Sequence, residues 1–153
     1  MLWSEEILID NLEDIKHHKN IIERLMRINK NKLHNMLFYG NIGSGKNTIV
    51  KLFLKHIFSI KNDKLTKVEI TYEKDKIVFL KNNFYYYIDV SLVGKKPYNI
   101  FPSFISNIIN TKNICNKNHI FVISNIEKAD EDFIRYIKYY LDRKCLTSTF
   151  IFI

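Results

Sequence analysis

Residues 36–54 read "MLFYGNIGSGKNTIVKLFL", a short apolar run, a glycine-rich turn and a second, mostly apolar run. The turn nearly matches the pattern G-x-x-x-x-G-K-[ST], with Gly40, Gly45 and Lys46 in register. Between a strand and a helix, the backbone N–H groups of such a turn point at phosphate oxygens, and the helix adds its positive N-terminal end. The stretch therefore predicts a buried strand, a phosphate-binding loop and a following helix.

The position after the loop lysine departs from this pattern. A hydroxyl side chain normally stands there and ligates Mg²⁺, whereas here Asn47 occupies it and the hydroxyl of Thr48 comes one residue late. An amide oxygen is a neutral and weaker ligand for a hard cation. We expect the loop to hold a nucleoside triphosphate and to bind Mg²⁺ poorly. The loop residues are Gly40, Asn41, Ile42, Gly43, Ser44, Gly45, Lys46, Asn47 and Thr48. A glycine-rich turn that binds no ligand remains the alternative.

Strands and helices alternate along the whole chain. Apolar runs predict strands at 35–39, 84–90, 119–124 and 149–153 and a β-hairpin at 66–72 and 76–80. Helices are predicted at 18–30 and 46–60, from the prolines at 97 and 102 to about residue 110, and from 130 onward. This alternation predicts an α/β fold of the P-loop NTPase type, with a parallel sheet, flanking helices and an inserted hairpin. Because the chain ends inside an apolar strand, the domain is also expected to be truncated at its C-terminus.

The strand predicted at 119–124 leads into the positions where nucleotide hydrolases of this fold carry their acids. Ser124 and Asn125 stand at these positions, and Glu127 comes two residues later, where it is expected to point elsewhere. Loss of a positioned general base costs about 10²–10⁴-fold in rate. The sequence therefore predicts no catalytic residue, no metal ligand and nucleotide binding without hydrolysis.

Charge and cysteine content place only weak limits on the function. The net charge is +8, from 24 basic and 16 acidic side chains, and such an excess favours polyanionic partners such as nucleic acids. The lysines are spread along the chain, so a coding bias toward Lys, Asn and Ile is an equally good explanation. Cys115 and Cys145 lack metal-ligand spacing and imply no disulfide framework, which favours a reducing, intracellular setting.

Two stretches resemble the small subunits of replication factor C, the AAA+ clamp loader. The start, "LWSEEILIDNLEDIKHH" at 2–18, resembles the family's opening W-x-E-K-Y-R-P-x-x-L-x-D-I-x-x-H. The phosphate-loop region, "LHNMLFYGNIGSGKNT" at 33–48, is similar to its P-H-L-L-F-Y-G-P-P-G-x-G-K-x-T. The hairpin and "EKAD" at 127–130 look most like the branch whose own ATPase site is degenerate. In place of the family's Arg-Pro near the adenine, this chain has Leu8 and Ile9.

The resemblance implies an AAA+ nucleotide-binding core over residues 1–153, incomplete because the lid and collar domains are absent. It implies a clamp-loader module of DNA replication that binds ATP and has no independent ATPase activity. The implied partners are other clamp-loader subunits, a sliding clamp and primer–template DNA, with no membrane. Lys95 and Lys96 precede a helix that would face DNA and are candidate DNA-binding residues. The implied location is the nucleus in a eukaryote, or the site of viral DNA replication.

Two other functions remain open. One is a small P-loop kinase that transfers phosphate to a nucleoside or another acceptor, for which ATP consumption with nucleosides and Mg²⁺ would be the distinguishing observation. The other is a decayed paralogue that binds no nucleotide and acts only as an interaction module.

Overall fold

The computed structural model describes residues 9–61, 63–72, 75–92, 101–109, 111, 118–143 and 148–153. These residues fall into two compact units. The first comprises Met1–Leu33 and Gly40–Asp63, and the second comprises His34–Tyr39 and Lys64–Ile153. The first unit contains two α-helices, and the second contains a β-sheet with two further helices.

The second unit is built on a six-stranded, mostly parallel sheet. Its strands are β1 (Met36–Leu37), β2 (Thr66–Tyr72), β3 (Asp75–Lys81), β4 (Tyr86–Asp89), β5 (His119–Ser124) and β6 (Ser148–Phe152). The order is β1-β6-β5-β4-β3-β2, and β1, β6, β5 and β4 pair in parallel. The predicted α/β fold with a largely parallel sheet is therefore confirmed.

Strands β5 and β6 lie inside the sheet, and their sequences explain why. All six residues of β5 are buried, as are the first four of β6. Near-continuous apolar runs such as "HIFVIS" and "STFIF" suit strands that are covered on both faces. The predicted strand at 119–124 coincides with β5 at both ends.

The inserted hairpin is also confirmed. Strands β2 and β3 are antiparallel and in register over seven residue pairs, from Thr66 with Lys81 to Tyr72 with Asp75. Strand β3 in turn joins β4 through the pairs of Leu80 with Tyr87 and Lys81 with Tyr86. The hairpin thus adds two antiparallel strands to one side of the parallel strands.

Strand β1 differs from its prediction. It was expected at 35–39 as a buried strand, but it covers only Met36–Leu37, and Leu37 is 62% exposed. The physical reason is its place at one side of the described sheet, where it pairs with β6 alone. The Asn35 side chain strengthens this junction by accepting a hydrogen bond from the backbone N–H of Phe150 at 2.8 Å.

Two amphipathic helices, α3 (Phe101–Ile109) and α4 (Glu131–Arg143), share one hydrophobic core with the sheet. The Phe101 ring of α3 meets the Phe133 ring of α4 at a centroid distance of 4.4 Å. Helix α4 begins one residue after its predicted start at Asp130, and the Asp130 carboxylate caps it by accepting from the backbone N–H of Phe133 at 2.8 Å.

The first unit holds α1 (Lys19–Met26) and α2 (Lys46–Phe58), which pack on each other. Helix α1 buries Ile22 and Leu25, but Ile21, predicted on the same apolar stripe, is exposed. At about 100° per residue, Ile21 lies about 100° around the helix from Ile22, at the margin of the buried side. In α2 the buried side chains are Ile49, Val50, Leu52, Phe53, Leu54 and Phe58.

The longest helices in the described part of the chain, α2 and α4, have 13 residues each. Among those residues there is no helix of the length and apolar character that crossing a bilayer requires.

Candidate nucleotide-binding site

Residues 40–48 form one continuous turn that runs into the first turn of α2. Gly43 and Gly45 both have φ near +80°, a left-handed conformation that side chains with a Cβ rarely adopt. Gly45 is the residue immediately before α2, and its carbonyl accepts from the backbone N–H of Ile49 at 2.9 Å. Gly45, which the motif requires, and Gly43 therefore both stand where the backbone needs a residue without a Cβ.

Lys46 is the first residue of α2, and its side chain folds back across the loop. Its Nζ donates to the carbonyl oxygens of Gly40 and Asn41, both at 2.8 Å. These bonds hold the ammonium group over the turn that the glycines shape. An ammonium beside the N-terminal end of a helix is an arrangement that attracts anions.

The remaining loop side chains leave the turn open. Ile42 is 101% exposed, and the side chains of Asn47 and Thr48 are exposed as well. Asn47, which stands at the hydroxyl position of the motif, thus presents an amide to solvent at the start of α2. The structure brings the predicted loop residues together but adds no carboxylate within the loop.

The end of β5 carries the neutral residues predicted there. The Ser124 side chain is buried, and its Oγ lies 3.5 Å from the carbonyl oxygen of Ile88, to which it donates. Asn125 follows in a left-handed conformation, with φ of 57°. Glu127 lies in a short 3-10 turn, Ile126–Lys128, and is exposed.

Asp89 is the residue that sequence reasoning missed. It ends β4 and pairs in register with Ser124, because parallel strands bring their carboxyl ends to one edge of a sheet. Its Oδ1 accepts from Asn125 Nδ2 at 2.7 Å, from the Ser91 backbone N–H at 2.9 Å and from Ser91 Oγ at 2.6 Å. An acidic residue near the end of the strand predicted at 84–90 is the sequence feature that could have revealed it.

The environment of Asp89 favours its charged form. Burial raises the pKa of Asp89, but the hydrogen bonds from Ser91 and Asn125 and the nearby Lys128 ammonium outweigh it and leave this pKa below its ordinary value of 3.8. A carboxylate with a lowered pKa holds a proton poorly. This acid is therefore better suited to fixing Asn125 and Ser91 than to accepting a proton.

We predict that Asp89→Asn lowers the free energy of unfolding by about 1–3 kcal/mol at pH 7, because hydrogen bonds to a charged acceptor are lost. The stabilisation by the Asp89 charge is fully present above the unfolded-state pKa near 3.8 and is lost as the pH falls through the lower folded-state pKa. The difference between wild type and variant should therefore shrink in acid. Urea unfolding at several pH values measures it, with the exposed Glu127→Gln as the matched control. An equal effect of both substitutions at pH 7 would contradict the prediction.

Several predicted residues lie outside the described part of the chain, namely Lys95, Lys96, Cys115 and Cys145. Among the described residues, no group of three or more His, Cys, Asp or Glu side chains could hold a metal ion.

Part of the chain is similar in sequence to replication proteins. Over 57 residues it is 39% identical to "Replication factor C subunit 3" of Schizosaccharomyces pombe. Over 70 residues it is 33% identical to "Replication factor C subunit 3" of Arabidopsis thaliana. The matches cover 37% and 45% of this chain.

The same matches span only 17% and 20% of the two relatives' lengths. No family model matches the chain. The comparisons thus support a replication-factor-C-like relationship over part of the sequence, consistent with the resemblance in the two N-terminal motifs.

Proposed function

We propose that this chain is a clamp-loader-like module of DNA replication that binds ATP through residues 40–48 and does not hydrolyse it. The observation that carries the proposal is the conformation of the loop, with left-handed Gly43 and Gly45 and with Lys46 at the start of a 13-residue helix. The partial similarity to two replication factor C subunits supports the choice of function.

The loop offers a triphosphate two kinds of attraction, backbone N–H groups and the Lys46 ammonium. Backbone N–H groups at the turn and at the start of α2 are hydrogen-bond donors that the helix itself does not use. The Lys46 ammonium has three N–H groups, and its bonds to Gly40 and Asn41 use two of them. The third is left for a phosphate oxygen. The donor set therefore fits a triphosphate, whereas the neutral Asn47 makes it a poor fit for Mg²⁺.

Hydrolysis needs a group that takes a proton from the attacking water, and such a base works best with a pKa near the working pH. Ser124 and Asn125, at the end of β5, have neutral side chains that cannot act as this base. Asp89, the carboxylate beside them, has a lowered pKa and its Oδ1 engaged by three donors. We therefore propose that residues 40–48 retain ATP and that the end of β5 supplies no base for its hydrolysis.

The proposed setting is an assembly, because the two relatives are named as subunits. The partners proposed for this chain are other clamp-loader subunits, a sliding clamp and primer–template DNA. Its location would then be the nucleus in a eukaryote, or the site of viral DNA replication.

Titration with a fluorescent ATP analogue, run beside a phosphate-release assay, tests this function. We expect saturable binding with phosphate release no faster than in a protein-free control. Turnover comparable to that of an intact clamp-loader ATPase would overturn the non-catalytic site. ATP consumption that appears only when a nucleoside and Mg²⁺ are added would instead identify a kinase, and absence of binding would identify an interaction module.

A further inference from the structure

The outer strand of the hairpin, β2, has an open edge. It is the last strand in the sheet order and pairs with β3 alone, through seven residue pairs. Within the described part of the chain, no strand lies along its other edge. The backbone N–H and C=O groups along such an edge are a template for pairing with another strand. Strand β1, at the opposite side of the sheet, covers only two residues, so β2 offers the longer edge.

The two faces of β2 differ in character. Because side chains alternate along a strand, Thr66, Val68 and Ile70 share one face, and Lys67 and Glu69 share the other. Val68 packs against the hydrophobic core of the second unit, whereas Ile70 is 36% exposed. The core-facing side of β2 therefore keeps uncovered apolar surface at the edge of the sheet.

The other face of β2 carries a cation and an anion two residues apart. The Lys67 Nζ lies 2.9 Å from the Glu69 Oε1, and the two side chains are 62% and 48% exposed. An ion pair this exposed contributes little to stability. Both charges can therefore exchange this contact for one with an incoming strand.

We propose that β2 pairs antiparallel with β2 of a second copy of this chain, across a two-fold axis at Val68. In this register Lys67 of each copy lies opposite Glu69 of the other, and Ile70 lies opposite Thr66. Side chains directly opposite each other in an antiparallel pair have Cβ atoms about 4.5–5.5 Å apart, close enough for opposite charges to attract. The two six-stranded sheets would form one continuous sheet.

The charges of β2 select this partner and this register. Read in opposite directions, the segment Lys67-Val68-Glu69 is complementary to itself, as the interface of a two-fold dimer requires. Moving the axis by one residue, to Lys67 or to Glu69, would set two lysines or two glutamates directly opposite each other. Like charges in that position destabilise a sheet. The proposal goes beyond the proposed function and does not depend on nucleotide binding at residues 40–48.

Two charge reversals test the proposal, alone and mixed. Lys67→Glu would set glutamate opposite glutamate at both charged positions of the dimer, and Glu69→Lys would set lysine opposite lysine. A mixture of the two variants would set lysines opposite glutamates at both positions again. The matched controls are Lys138→Glu and Glu127→Lys, which make the same charge changes at exposed positions outside β2.

The measurement is sedimentation velocity of the whole chain at increasing protein concentration. It is made at physiological ionic strength, where repulsion between two chains of net charge +8 is screened beyond about 8 Å. In the mixture one variant carries a fluorescent label, so that dimers of unlike chains are detected. Thermal melting of each protein checks that its fold is intact.

The mass of the wild type should rise with concentration from 18.4 kDa toward twice that value. Each β2 variant alone should dimerise at least about tenfold more weakly, because two attractive cross-strand pairs become repulsive. The mixture should recover association near the wild-type level, and both controls should dimerise as the wild type does. A wild type that stays at the monomer mass, equal losses in the controls, or no recovery in the mixture would each overturn the proposal.

Discussion

The Lys46→Ala variant is expected to bind ATP about 10- to 100-fold more weakly than the wild type. A hydrogen bond to a charged group contributes about 1.5–3 kcal/mol, and each 1.4 kcal/mol is a factor of about ten in affinity. The physical reason is the position of Lys46, whose ammonium is already held over the loop by the Gly40 and Asn41 carbonyls. Alanine would remove the charge and leave the α2 backbone in place, because it is a good helix former.

Titration with a fluorescent ATP analogue measures this effect, and Lys51→Ala is the matched control. Lys51 is an exposed cation on the same helix, five residues further along α2, so its removal changes the net charge equally. Melting temperatures without nucleotide would separate a damaged loop from a lost contact. Equal weakening by both substitutions would show that Lys46 attracts the nucleotide only through overall charge.

The Phe121→Ala variant is expected to lose about 3–5 kcal/mol of the free energy of unfolding, because truncating a buried phenylalanine leaves a cavity. Phe121 is fully buried in β5 and stacks between Tyr86 and Phe150, at centroid distances of 5.4 and 5.2 Å. Burial also raises the pKa of Tyr86, as expected for a ring within this layer. Such a loss is a large part of the 5–15 kcal/mol that stabilises an ordinary domain.

Urea unfolding followed by circular dichroism measures the change, and the melting temperature should fall by about 10 °C. Ile42→Ala is the control, because the Ile42 side chain is fully exposed and its truncation should change stability by no more than about 0.5 kcal/mol. A loss below about 1 kcal/mol for Phe121→Ala would contradict the packing described for β5.

The parts of the fold that the sequence predicted well are those with a strong local pattern. Strand β5 was predicted with both ends correct, because "HIFVIS" is wholly apolar apart from its terminal residues and is followed by a polar turn. The hairpin of β2 and β3 was predictable because two strand-like runs, residues 66–72 and 76–80, flank a short polar stretch of sequence. Strand β1 was less predictable, because an apolar run does not reveal whether a neighbouring strand will cover it.

Of the candidate functional residues, only the continuous loop was predictable. The loop at residues 40–48 is a local motif, so its glycines and Lys46 could be placed from spacing alone. Asp89 and Asn125 are 36 residues apart and meet only because β4 and β5 pair in parallel, a register that no local pattern encodes.

The most direct test of the central claim, retention of ATP without turnover, is the chemical identity of nucleotide recovered from the protein. The purified chain would be incubated with radiolabelled ATP and Mg²⁺, separated from free nucleotide and denatured, and the released label resolved by chromatography. We predict that the wild type retains label that is recovered as intact ATP, and that Lys46→Ala retains far less label. Recovery of the label as ADP, or no retained label in the wild type, would contradict it.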